Sequence, residues 1–140
     1  MLEALEWVFI VLGPLPGLLP AIRPPQSFAA GAFALFWPFF YPVLFMYLNS
    51  VVRPRIPDDC DTEAAGKALS RQHSFAVIAA FLSALMGFSA LFVADPYVPR
   101  WLWILPASLY LLYLFTAGLS YAHLRSARRI IAEAPTQRAE

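Results

Sequence analysis

The chain has 140 residues, of which 60% are hydrophobic and 14% charged, with ten Lys or Arg against nine Asp or Glu and a net charge of +1. A soluble domain of this size leaves roughly 30% of its unfolded-chain surface exposed, more than these few polar residues can cover, so lipid must be the solvent for much of the chain. The near-neutral charge excludes the broad basic face that phosphate recognition needs, and with it nucleic acid as a partner.

The chain opens with Glu3 and Glu6 where a secretory leader would carry Lys or Arg, so its start reads as part of the mature protein. From Trp7 to Ile22 no residue is charged, but Gly13, Pro14, Pro16, Gly17 and Pro20 interrupt the run. Each interior proline removes a backbone hydrogen bond and clashes with the preceding turn. A wholly helical stretch would cover about 24 Å, short of a hydrocarbon core of roughly 30 Å. The expected form is a helix from about Leu2 to Leu12, then an irregular return or a kinked continuation. Its freed backbone groups must be satisfied by neighbouring protein.

Phe28 to Val52 is free of charge and, at about 37 Å of helix, long enough to span. Its aromatics, Phe33, Phe36, Trp37, Phe39, Phe40, Tyr41, Phe45 and Tyr47, distribute around the helix, so some must face lipid, a neighbouring subunit or an apolar ligand such as a quinone. Pro38 and Pro42 should bend it.

The stretch at 53–73 carries Arg53, Arg55, Lys67 and Arg71. Asp58, Asp59 and Asp61 are suited to cap the helix that follows, and Glu63 sits four residues before Lys67 for an intrahelical pair. With Glu63, the three aspartates also form a cluster of hard oxygens of the kind that holds a divalent cation. Cys60, the single cysteine, reads as an incidental reduced thiol.

A further span runs from Ser74 to Ala94. Ala79, Ser83 and Gly87 form one row at a spacing of four, and Ala76, Ala80 and Ala84 a second, so short side chains line a helix face that another backbone can approach. That neighbour is either one of the chain's own helices or a helix of another subunit. The turn "ADPYVPR" places Asp95 and Arg100 where they can pair. The last span, Trp101 to His123, should continue as helix until Pro135 stops it.

Arg125, Arg128, Arg129 and Arg138 lie in the tail, and only Arg23 and Arg100 lie outside the tail and the central loop. This positive-inside bias puts the central loop and the C-terminus in the cytoplasm. The expected architecture is an all-α integral membrane protein, a single domain over 1–140 with about four transmembrane segments, the first broken by prolines. Three spans plus a re-entrant segment at 1–25 is the alternative.

His73 and His123 should share a depth at the ends of adjacent helices, an arrangement that can hold a metal or haem iron as neutral imidazoles. No Gly-rich phosphate loop, His-Glu-x-x-His helix or Gly-x-Ser-x-Gly elbow is present. The run "LSRQHSFAV" at a helix start resembles, over a few residues, the membrane-associated eicosanoid and glutathione metabolism proteins. That family's following Asn and Glu are replaced here by Ser74, Phe75, Ala76 and Val77, so no activity is carried across.

These features together read as a non-enzymatic accessory or scaffold subunit of a larger membrane assembly, with the bilayer and other membrane subunits, or copies of itself, as partners. A small homo-oligomeric transporter or lipid flippase is the second reading, and a membrane enzyme or haem-binding redox anchor using His73 and His123 the third. The preference for Arg over Lys and the abundance of Ala and Pro point to a bacterial inner membrane.

Overall fold

The computed structural model describes residues 2–22, 26–57 and 62–138, and among them every regular element is helical. In chain order these are α1 (Leu2–Leu12), a 3-10 turn (Leu15–Leu18), α2 (Leu19–Ile22), α3 (Phe28–Val52), α4 (Thr62–Val93), a second 3-10 turn (Arg100–Trp103) and α5 (Ile104–Arg138). Helices α3, α4 and α5 are each long and apolar enough to cross a membrane. With 32 and 35 residues, α4 and α5 reach about 48 and 52 Å, well beyond a hydrocarbon core of roughly 30 Å.

Local chemistry sets several boundaries. The α1 helix ends at Leu12, where Gly13 and Pro14 follow. The Ser27 side chain accepts from the backbone N–H of Ala30 at 3.1 Å and starts α3. Asp58, Asp59 and Asp61, expected to cap α4, lie outside the described residues together with Cys60 and Arg23. Lys67 pairs with Glu63 at 2.9 Å, one turn apart and exposed.

Two boundaries differ from expectation. The last span opens as a 3-10 turn and becomes α-helical only at Ile104. At its other end, α5 does not stop at Pro135 but runs to Arg138. Near a helix terminus a proline removes one donor, here to the carbonyl of Ile131, while the N–H groups after it keep their own acceptors.

The α4 and α5 helices form an antiparallel hairpin. Ser120 donates to the carbonyl of Gln72 at 3.0 Å, and Phe75 stacks on His123 with ring centroids 5.4 Å apart. The α3 helix is antiparallel to α4, with Asn49 beside Gln72 at one end and Phe39 against Phe88 towards the other. The bundle therefore has a basic end, holding the C-terminus of α3 and the start of α4, and a turn end, holding the α4–α5 connection and the start of α3.

The broken opening segment runs the length of this bundle. Glu6 pairs with Arg128 near the basic end, Trp7 packs on Tyr121, and Gly17 lies against Gly87 and Trp37 nearer the turn end. Beyond it, Ala68, Leu69, Leu124 and Ala127 continue the α4–α5 contact at the basic end, with Val52 and Ile56 packed on them.

The small-residue rows of α4 face into the chain's own bundle. Ala76, Ala79, Ala80, Ser83 and Gly87 are buried and Ala84 is half-buried. Gly87 is the tightest point: a Cβ there would stand 2.5 Å from Cγ of Pro38. Ser83 and Ser89 donate to carbonyls of their own helix, Ala80 and Met86, which satisfies buried hydroxyls without a cross-helix partner.

Gly87→Ala should therefore lower stability by about 1–3 kcal/mol through overpacking. Gly31→Ala, where an added Cβ meets nothing within 4 Å, should raise it by about 0.5–1 kcal/mol. Thermal unfolding of the two detergent-solubilised variants checks the pair; equal shifts would contradict the Pro38–Gly87 contact.

Candidate functional site

The end of α1 presents a backbone problem that residues far along the chain solve. The last carbonyls of any helix lack intrahelical donors, and here Pro14 and Pro16 cannot supply the N–H groups that Ile10 and Leu12 would accept. Tyr113 donates to the Ile10 carbonyl at 2.8 Å, Tyr110 to the Val11 carbonyl at 2.8 Å, and the Trp37 indole N–H to the Gly13 carbonyl at 3.0 Å. The Phe9 carbonyl is taken by the backbone N–H of Gly13 at 2.9 Å.

Tyr41 and Tyr113 are buried, and their hydroxyl oxygens lie 2.5 Å apart. A hydroxyl has one hydrogen to give. With that of Tyr113 committed to Ile10, Tyr41 donates to Tyr113, and its 3.4 Å approach to the Phe9 carbonyl is secondary. Gly13 is required at the break because a Cβ there would overlap the ring of Tyr41. Donors from α3 and α5 thus hold the kink, and the aromatic density of α3 includes part of that set.

Near the basic end a cleft of about 260 Å³ opens between α1, α3 and α5. Its walls are mostly apolar, with Phe9, Ile10, Leu48, Val52 and Ala117 among them, and its polar members are Glu6, Asn49 and Tyr121. Arg128 donates to the Glu6 carboxylate at 3.0 and 3.5 Å, with both side chains mostly buried. Asn49 is fixed by two bonds, donating to the Phe45 carbonyl at 2.9 Å and accepting from Gln72 at 3.0 Å. Tyr121 is only 7% exposed, and its hydroxyl has no hydrogen-bond partner among the described residues.

The two histidines share a depth but not a face. His123 stacks on Phe75, whereas His73 is exposed and precedes Phe75 by two residues, about 200° around the helix. Among the described residues no cluster of three or more His, Cys, Asp or Glu has the geometry of a metal site. Asp95 accepts from the backbone N–H of Tyr97 at 3.0 Å, and no ion pair joins it to Arg100.

Sequence reasoning overlooked the Glu6–Arg128 pair and the roles of Tyr110, Tyr113 and Tyr121. A usable signal existed for the first: if the opening segment crosses, its acidic start comes to the same end as the arginines of the tail. Tyr110 and Tyr113 carry no such signal, because their partners are backbone carbonyls about a hundred residues away. No family model, curated protein or solved structure matches the chain.

Tyr113→Phe should cost about 1–3 kcal/mol by leaving the Ile10 carbonyl and the Tyr41 hydroxyl short of partners. Pro14→Ala, which returns an N–H to the position facing Ile10, should recover part of that loss in the double variant. Denaturation of the two single variants and the double measures the coupling, and strict additivity would contradict the assignment.

Proposed function

We propose that the chain is a bacterial inner-membrane protein with four crossings, acting as a non-enzymatic accessory subunit of a larger membrane assembly. Eight of ten basic residues lie in the central loop and tail, a positive-inside bias that supports a cytoplasmic basic end. The opening segment is the fourth crossing. From Leu2 to Ile22 its α-helical and 3-10 stretches together rise about 30 Å, a hydrocarbon core's thickness reached with Glu3 and the Arg128-paired Glu6 at its cytoplasmic edge.

The observation that carries the accessory role is a stripe on the outer face of α3. Phe33, Phe36, Phe40, Val43 and Tyr47 repeat at alternating intervals of three and four, the spacing that lays one helix along another, and all five are exposed. Phe33 stacks on Trp37 and Phe36 on Phe40, so the stripe is ordered before any partner arrives. Such ordering reduces the entropy lost on association. Its occupant is a helix of another membrane subunit, since the chain's own small-residue rows are already used within the bundle.

A transporter would need the broken segment to offer backbone groups to a ligand, as discontinuous helices do. Here side-chain donors from α3 and α5 already occupy the carbonyls of Ile10, Val11 and Gly13, which weighs towards a structural role for the break.

A photo-cross-linking phenylalanine analogue placed at Val43, which is 69% exposed, should give one discrete protein adduct in intact membranes. The same analogue at Leu111, 66% exposed on α5, should give lipid adducts only. Absence of a protein adduct at Val43, or identical patterns at the two positions, would contradict the proposal.

A further inference from the structure

We propose that the cleft between α1, α3 and α5 is a binding site for one acyl chain of a zwitterionic phospholipid from the cytoplasmic leaflet. The inference rests on the bilayer placement argued above but on no partner subunit. The cleft runs along the bundle axis: its walls extend from Phe45 to Val52 on α3 and from Ala117 to Leu124 on α5, eight residues rising about 10 Å on each helix. A narrow, apolar, axial slot matches an alkyl chain lying parallel to the helices. At about 260 Å³ it falls just below the roughly 300–1,000 Å³ of ordinary small-molecule pockets, so it suits one chain and not a fused-ring ligand.

The polar groups lie in the half of the slot towards the basic end, with Asn49 and Tyr121 about one turn inside the limits set by Val52 and Leu124. The Tyr121 hydroxyl is buried without a partner among the described residues, and a buried hydroxyl lacking a partner is an unfavourable state that an acceptor relieves. The ester carbonyl of a glycerolipid is such an acceptor, at the point where the apolar chain meets the polar head. Glu6 lines the cleft and accepts from Arg128 beside it. Together they make a charge-balanced mouth. It complements a head that carries both a phosphate and an ammonium better than one that carries a phosphate alone.

The test uses the full chain extracted from its own membrane, stripped of lipid and titrated with phosphatidylethanolamine or phosphatidylglycerol under native mass spectrometry. Wild-type protein should retain one phosphatidylethanolamine per chain in preference to phosphatidylglycerol. Tyr121→Phe should weaken that binding about fivefold, the value of one ordinary hydrogen bond. Leu48→Trp, which fills the slot, should abolish it, while Leu111→Trp on the exposed face of α5 should leave it unchanged. Melting curves for each variant separate loss of the site from loss of the fold.

Absence of a retained lipid, or retention indifferent to Tyr121→Phe and Leu48→Trp, overturns the proposal. A preference for phosphatidylglycerol overturns the headgroup assignment. If the chain is instead recovered from the aqueous fraction without detergent, it is the bilayer placement that has failed, a result distinct from any of these.

Discussion

The architecture depends on satisfying the backbone carbonyls at the end of α1. Prolines at 14 and 16 withhold donors that a continuous helix would provide, and in the crossing proposed above no water would replace them. Tyr113 replaces the donor lost at Ile10, Tyr110 and Trp37 cover the carbonyls of Val11 and Gly13 on either side of Leu12, and Tyr41 supports Tyr113 in turn. Because these donors come from α3 and α5, the break also ties the opening segment to both. A weakness in one helix has become the point at which the chain's first and last elements are joined.

The remaining packing follows from that bond set. With its break clamped, the segment passes between the basic end and the turn end, bringing Glu6 to Arg128 and Gly17 to Gly87. The glycine at 87 is needed by Pro38, which presses on it from α3, and Gly17 of the opening segment lies alongside. The small residues of α4 thus work inside the chain, where close approach of backbones gives the van der Waals contact that membrane helices rely on. What faces outward is large and aromatic, and so is the surface left for lipid or a neighbouring subunit. At the basic end the opening segment packs less closely, and the cleft beside Tyr121 is the space left between α1 and the two helices it leans on.

Much of this was legible in the residues. Length and apolarity delimited α3 and α4, and the first glycine and proline marked the end of α1 at Leu12. Those signals are local, and so are the i, i+4 pair of Glu63 with Lys67 and the inward rows of small residues. The depth shared by His73 and His123 was also legible, from counting along the hairpin, but their orientation was not. Helical phase places His73 away from Phe75 and so away from His123, a consequence clear only once the Phe75 contact is known. Least legible were the tyrosine donors, whose choice of carbonyl depends on how three helices converge. Nothing in a run such as "LYLLYLF" distinguishes a tyrosine that clamps a break from one that faces lipid.

Whether the opening segment crosses is decided by labelling with a membrane-impermeant maleimide. In a Cys60→Ser background, single cysteines are introduced as Glu3→Cys, Tyr97→Cys and Ser126→Cys, all at exposed positions. In intact cells only Tyr97→Cys should label, with Glu3→Cys and Ser126→Cys becoming reactive together once the membrane is opened. Labelling of Glu3→Cys alongside Tyr97→Cys in intact cells would mean that the segment enters and returns, and the clamp described here would then have no crossing to hold.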